Sequence, residues 1–267
     1  MADSLLTNVS VAGIFDKPTF KSEMVTQSLL WEELMIEESS ASWFMIKTSD
    51  GYKGWINKFY TVFGSRDEIH NATFLHTQIL GVLRSEPSIT APQLMQVVFG
   101  NELPAKHTCE INRQIWHTIL LPDGREGWIL DTGYKPLESV RNTINWASKL
   151  LIGTPYVWGG RSSLGFDCSG FVQTVFKFAG ISLPRNSSQQ KDFNGLISID
   201  KTDSTLGDLI FFSDEKVITH VGIMYENGEF YHCSGDVKKN SLNPKTPNYN
   251  QELQQKFDCV QSIGTFN

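Results

Sequence analysis

Residues 165–171 read Gly-Phe-Asp-Cys-Ser-Gly-Phe (GFDCSGF), between TPYVWGG (Thr154–Gly160) and VQTVFKFAG (Val172–Gly180). The apolar spacing of Phe171, Val172, Val175, Phe176 and Phe178 predicts a helix with one buried side, ended by Gly180. Asp167 is a good N-cap residue, which puts Cys168 at the first helical position. Unpaired amides and the helix dipole favour an anion there, so the thiol is expected to titrate below its ordinary value and act as a nucleophile. The plain alternative is a small buried hydrophobe, the usual state of a free cysteine.

A nucleophilic cysteine needs a base and a group to orient that base. Of six histidines, His70, His76, His107 and His117 lie in the first half of the chain and read as surface or structural. His220 and His232 lie on consecutive strand-like runs, THVGIMY and EFYHCSG, joined through Glu226-Asn227-Gly228-Glu229. A two-residue Asn-Gly loop would pair Glu226 with Glu229 and put the two rings on opposite faces. A three-residue loop with Gly228 left-handed pairs Tyr225 with Glu229 and sets His232 opposite Gly222, diagonal to His220 on one face. The three-residue loop is the expectation, with His220 taking the thiol proton and His232 holding the second nitrogen of His220.

Around this pair of motifs the chain changes texture near Ser139. SVRNTINWASKLLIG carries Val140, Ile144, Ala147, Leu150 and Leu151 at helical spacing, with Ser139 as N-cap and Gly153 as stop. Helices followed by the runs DLIFFS, THVGIMY, EFYHCSG and FDCVQSIG predict an α+β domain with an antiparallel sheet. The first half repeats instead. SDGYKGWINK from Ser49 and PDGREGWILD from Pro122 lie 73 residues apart, and QSLLWEEL from Gln27 and QVVFGNEL from Gln96 lie 69 apart. The difference of four residues fits a loop insertion in one copy. Short strands around Asp-Gly turns in both copies predict two small β-barrels. The expected domains are 1–64, 65–137 and 138–267.

The 267 residues are 40% hydrophobic and 19% charged with a net charge of −6, an ordinary globular composition. No dense basic run appears, so nucleic acid is not an expected partner. No stretch approaches the roughly 18 apolar residues of a membrane span. The start MADSLLTNVSVAG lacks the charge and apolar core of a secretory signal. Cys109, Cys168, Cys233 and Cys259 show no CxxC spacing and suggest neither a disulfide framework nor a zinc site. These features favour the cytoplasm, with a processed secreted or periplasmic protein as the alternative.

TPYVWGG with GFDCSGFVQTVF, GDLIFF, THVGIMY and FYHCSG resembles the NlpC-type cell-wall peptidases, which are papain-like cysteine enzymes. The likeness is close over about 139–235, and the first half resembles tandem bacterial SH3-like domains marked by Gly-Trp-Ile. The resemblance implies Cys168 as nucleophile, His220 as base, His232 as the third polar residue and Tyr156 as a hydroxyl donor to the oxyanion. It implies cleavage of peptidoglycan stem peptides between D-glutamate and a diamino acid, with a free N-terminal L-alanine. Asp167 then binds the amine, and Trp158, Ser169, Arg185 and Ser187 line the substrate pocket, Arg185 by a forked contact to a carboxylate. Glu23 and Tyr60 are the candidates that close the amine end. Each has a plainer reading: Asp167 as N-cap only, Glu23 as a surface carboxylate, Arg185 as a loop cation, Trp158 as core and Tyr156 as packing. The expected partners are muropeptides, with no cofactor, no metal and a monomeric chain. The rival functions are a wall-binding module with an idle catalytic domain, and an N-acetylmuramoyl-L-alanine amidase.

Overall fold

The computed structural model describes residues 4–68 and 72–264. His70, read from sequence as surface or structural, lies outside the described residues. The chain divides into two compact units, Met1–Lys135 and Pro136–Asn267.

The first unit holds two copies of one strand arrangement. In the first copy the sheet order is 24–29, 11–15, 53–57, 43–47, 33–40, 4–7, with 61–63 added at the edge. In the second it is 93–98, 80–84, 126–130, 114–120, 102–111, 72–75. The repeat is therefore structural, strand for strand. The four extra residues are not a loop insertion. Both hairpins turn over two residues, but Glu33–Ser40 and Trp43–Lys47 become the longer Glu102–Ile111 and Gln114–Leu120, two residues more on each strand.

The two copies share a core. Leu6, Leu30 and Trp31 of the first cluster with Leu83, Val97, Leu103, Ile119, Leu121 and Ile129 of the second. Trp31 is 1% exposed and its Nε1–H donates to the Leu120 carbonyl at 2.7 Å. Its φ of 70° is a left-handed conformation that disfavours a bulky residue; the equivalent place in the second copy is Gly100, φ 77°. The buried indole outweighs that local cost, because a fully buried tryptophan contributes several kcal/mol.

The second unit is a helix pair and a short helix on an antiparallel sheet. Helix α1 (Val140–Leu150) is capped by Ser139, whose Oγ accepts from the Asn142 N–H at 3.2 Å. Helix α2 (Cys168–Phe178) is capped by Asp167, and α3 (Ser187–Lys191) follows on a short loop. The strands are β1 (Ile197–Ile199), β2 (Leu209–Asp214), β3 (Val217–Met224), β4 (Glu229–Ser234), β5 (Asp236–Ser241) and β6 (Phe257–Ser262), in the order β1-β6-β2-β3-β4-β5. Helix α4 (Gln251–Lys256) leads into β6. Every residue of α2 from Ser169 to Phe176 is buried, because the helix is sandwiched between the sheet and the loop ahead of it. Phe178, expected on the buried side, is only half-buried and stacks on Trp146 at 5.5 Å.

Trp31→Ala should destabilise the first unit by about 3–5 kcal/mol, the cost of emptying a large buried site. Denaturant unfolding checks this, and both barrels should lose structure in one transition because the emptied site belongs to both.

Candidate active site

Cys168 stands where α2 begins, and a single buried carboxylate holds that start in place. Asp167 Oδ1 accepts the Gly170 N–H at 2.7 Å, the helix cap read from sequence. Its Oδ2 accepts the Gly159 N–H at 3.0 Å, which ties in the loop ahead. Arg185 reaches both oxygens, Nη1 to Oδ1 at 3.0 Å and Nη2 to Oδ2 at 2.5 Å. Arg185 Nη1 also donates to Ser169 Oγ at 2.9 Å, and Ser169 Oγ donates to Asp167 Oδ1 at 3.3 Å. A forked, charge-assisted pair of this kind is among the strongest polar contacts available to a protein.

One expectation changes here. Arg185 is 2% exposed and its fork is closed on Asp167, so the forked contact expected with a substrate carboxylate is made inside the protein. Asp167 takes five donors on its two oxygens, so it is a structural anchor of the site as well as the helix cap. Gln190, which sequence reading passed over, adds a further tie: its Nε2 donates to the Ser169 and Pro184 carbonyls at 3.1 and 2.9 Å. Gly170 is required by the same knot, since a Cβ there would fall on the Gly160 carbonyl oxygen.

The loop ahead of α2 is stitched to the sheet edge. The Tyr156 N–H donates to Gly235 at 2.8 Å and the Val237 N–H to Thr154 at 2.8 Å, while Tyr156 bridges Phe166. Tyr156 is half-buried, and its phenol is pushed up to about 12 by burial and by the neighbouring Cys168 and Asp167 charges. Its hydroxyl therefore stays protonated across the neutral range. Trp158 is 62% exposed, a large aromatic face rather than core. Ser187 opens α3, capped by Asn186.

The base lies on β3. The expected register is present: Ile223 pairs with Tyr231, Met224 with Phe230, and the Tyr225 N–H donates to Glu229 at 2.8 Å. The turn that sets it differs from the expected one. Asn227 and Gly228 are both left-handed, φ 55° and 78°, and the Glu229 N–H closes the turn on Glu226 at 3.0 Å. It is a two-residue Asn-Gly turn preceded by a bulge at Tyr225–Glu226, and the bulge restores the register of a three-residue loop. His220 and His232 therefore share a face, with His220 Nε2 2.8 Å from His232 Nδ1.

One more strand carries the relay on. His232 is opposite Lys238 on β5, so Asn240, two residues further, is again a diagonal same-face neighbour. His232 Nε2 lies 2.9 Å from Asn240 Oδ1, and Asn240 Nδ2 donates to the Asn248 carbonyl at 3.2 Å. That carbonyl can only accept, which fixes the Asn240 amide and makes its Oδ1 the acceptor for His232. His232 thus carries its proton on Nε2 and presents a bare Nδ1. His220 then donates from Nε2, which leaves the lone pair on His220 Nδ1 as the base. Sequence reading missed Asn240 because its register depends on the Ser234–Asp236 turn, which has no strand signal.

Val221, the residue after the base, reaches the sulfur through its backbone. The Val221 and Ser169 backbone N–H groups both point at the Cys168 sulfur and lower its pKa. They do not prevail. Burial, and then the Asp167 charge, push the thiol up to about 11, against the low value expected from the helix start. Burial and the neighbouring His232 push His220 down to about 3. Burial thus favours the neutral thiol and the neutral imidazole in the resting site. Cys233 shows the ordinary alternative: it is fully buried, donates to the Phe166 carbonyl at 3.1 Å and is pushed up to about 12.

Glu23 and Tyr60 belong to the first unit. Glu23 is exposed, with its backbone carbonyl accepting from Asp16 at 2.9 Å. Tyr60 is half-buried and stands against Phe59 and Phe20.

Residues 153–259 match the model of the NlpC/P60 family. The chain is 28% identical to a gamma-D-glutamyl-L-lysine dipeptidyl-peptidase of Bacillus cereus (strain ATCC 10987 / NRS 248), over 88% of this chain and 74% of that one. It is 24% identical to dipeptidyl-peptidase 6 of Lysinibacillus sphaericus, over 95% of this chain and 97% of that one. The fold matches the crystal structure of an NlpC/P60 family protein from Bacillus cereus ATCC 10987 with a TM-score of 0.81 at 23% identity, covering 97% and 99% of the two chains. The chain carries an NlpC/P60 domain behind two SH3-like barrels and is a cysteine peptidase.

Two outcomes follow from the relay. Asn240→Leu should lower kcat about 100-fold with little change in KM, because His232 loses the acceptor that holds its tautomer; Asn240→Asp should retain most of the activity. Steady-state kinetics on a stem peptide separates these. His76, His220 and His232 all have folded pKa values lowered to about 4, 3 and 4, against 6.5 unfolded. The unfolded chain then binds more protons, so stability is complete above about pH 6.5 and falls as pH drops toward 3–4. Melting temperatures measured from pH 8 to pH 4 should decline only below about 6.5.

Proposed function

We propose that this NlpC/P60 cysteine peptidase cleaves the γ-D-glutamyl–diamino acid bond of peptidoglycan stem peptides that carry a free N-terminal L-alanine. The observation that carries the reading is the extent of the likeness. The relative named as a gamma-D-glutamyl-L-lysine dipeptidyl-peptidase aligns over 88% of this chain, first unit included, rather than over the catalytic domain alone. A dipeptidyl-peptidase releases two residues from a free amine end, which agrees with the requirement for an unblocked L-alanine. The same reading assigns the enzyme to cytoplasmic recycling of muropeptides, as a monomer.

The chemistry is acyl transfer. Cys168 Sγ attacks the γ-glutamyl carbonyl carbon while its proton passes to His220 Nδ1. The carbonyl oxygen becomes an oxyanion, met by the Cys168 backbone N–H at the helix start and the Tyr156 hydroxyl. His220 then gives its proton to the diamino-acid nitrogen as the C–N bond breaks, leaving a thioester on Cys168. Water loses a proton to His220, attacks the thioester, and the thiol is regenerated as His220 returns that proton. Trp158 supplies an apolar wall and Ser187 a hydroxyl near the mouth. Asp167 and Arg185 act as positioning residues that hold the nucleophile's turn. Recognition of the amine is assigned to Glu23 and Tyr60 by the resemblance alone.

Mass spectrometry of digests tests this. Wild type should release L-Ala-γ-D-Glu from L-Ala-γ-D-Glu-diamino acid peptides and leave the N-acetylated peptide intact, whereas Cys168→Ala should release nothing. Glu23→Gln and Tyr60→Phe should raise KM for the free peptide. Cleavage by Cys168→Ala, or equal cleavage of the acetylated peptide, would contradict the reading.

A further inference from the structure

The two barrels bring the same three strand positions together and fill them with different chemistry. In the first barrel Ser39 pairs with Phe44, Phe44 pairs with Ile56, and the Lys58 N–H donates to the Ser42 carbonyl at 2.9 Å. In the second, Thr108 pairs with His117, His117 pairs with Ile129, and the Asp131 N–H donates to the Ile115 carbonyl at 2.8 Å. Thr108, His117 and Asp131 therefore stand where the first barrel has Ser39, Phe44 and Lys58. In that barrel Lys58 donates to Ser39 Oγ at 3.0 Å, and its ammonium lies 4.6 Å from the centre of the Phe44 ring. This is a cation packed on an aromatic face. In the second barrel a hydroxyl is kept, the ring has become an imidazole and the ammonium a carboxylate.

The exchange creates a hydrogen-bonded chain. Thr108 Oγ1 lies 2.9 Å from His117 Nδ1, and His117 Nε2 lies 3.1 Å from Asp131 Oδ2. Asp131 is itself oriented, because its Oδ1 accepts the Gly133 N–H at 2.8 Å. Burial pushes the Asp131 carboxyl up, but the Gly133 amide and His117 outweigh burial and hold it below its ordinary value. It is a carboxylate at neutral pH and can only accept. A neutral His117 then carries its proton on Nε2 and a lone pair on Nδ1. The Thr108 hydroxyl donates to that lone pair, and its oxygen keeps lone pairs of its own. Phe74 packs against the imidazole with ring centres 4.7 Å apart, and the His117 side chain is only 15% exposed, whereas Thr108 is exposed. The base is held still and the hydroxyl is open to solvent. A hydroxyl, an imidazole and a carboxylate in line are the parts that activate an oxygen nucleophile.

We propose that Thr108 is an acylation site, a second nucleophile separate from Cys168, which takes a short acyl group from an activated ester or thioester. Thr108 Oγ1 attacks the donor's carbonyl carbon while its proton passes to His117 Nδ1. The Asp131 carboxylate stabilises the imidazolium that forms. The carbonyl is restored as the bond to the leaving alcohol or thiol breaks, and that group takes the proton from His117. The products are an ester at Thr108 and a free alcohol or thiol.

Peptide mapping by mass spectrometry, after treatment of the intact protein with p-nitrophenyl acetate at neutral pH, tests this. Thr108 should be acetylated faster than any other serine or threonine, and hydroxylamine should remove the label as it does an ester. His117→Gln should slow labelling of Thr108 about 100-fold, within the range a positioned base contributes. Asp131→Asn should slow it too, because an amide can donate to Nε2 and shift the imidazole proton to Nδ1. Thr108→Ser should keep the label and Thr108→Val should lose it, with peptidase activity unchanged in all four variants. A parallel reaction with an acetyl thioester separates the donors: label from both assigns thioesters as well as activated esters, and label from the aryl ester alone assigns activated esters. No acetyl group on Thr108, or labelling of Thr108 in His117→Gln at the wild-type rate, would overturn the proposal. The readout is independent of the peptidase assay, because neither donor contains a γ-glutamyl bond.

Discussion

Five hydrogen-bond donors meet at the carboxylate of Asp167, and the geometry of the catalytic unit follows from that meeting. They come from the loop ahead of α2, from the first turn of α2 and from the segment leading to α3. Three separate stretches of chain are thereby held at the residue before the nucleophile. A lone carboxylate at that depth would be unfavourable, and breaking such a pair by removing one partner costs about 3–5 kcal/mol. Arg185 makes the buried charge tolerable, and the carboxylate in turn orders the turn that presents Cys168. Asp167 therefore has a role in construction, whatever it meets from a substrate.

The second consequence is electrostatic. A helix start favours a thiolate, but a closed pocket disfavours any charge, and Asp167 adds a negative charge one residue away. Burial is the larger influence, and it favours a neutral thiol and a neutral imidazole at rest. This makes the tautomer of His220 decisive, because a neutral imidazole is a base at one nitrogen only. The choice of nitrogen is passed from the Asn248 carbonyl through Asn240 and His232, across three strands, by two diagonal steps on one face.

Much of this was legible in the sequence for physical reasons. The cap at Asp167 and the start of α2 are local, and local rules describe them. The same-face placement of His220 and His232 followed from the period-two geometry of strands once the register was chosen. The turn was less legible: Asn227-Gly228 forms the tight turn its residues favour, and a bulge supplies the register. The partner of Arg185 was not legible, because an arginine eighteen residues beyond an aspartate carries no mark of which way its side chain folds. Asn240 was hidden because β5 has no apolar alternation, and the four-residue difference between the barrels was misplaced because a longer hairpin and a longer loop look alike in a repeat offset.

The central claim is that His220 is held as a neutral imidazole with its proton on Nε2 and its lone pair on Nδ1. Nitrogen-15 NMR of the histidine rings at pH 7, with His220 and His232 assigned by substitution, measures this directly. The account predicts a protonated Nε2 and a bare Nδ1 on both rings, unchanged when Cys168 is alkylated. A His220 ring protonated on both nitrogens, matched to an ionised Cys168 in the resting enzyme, would contradict it.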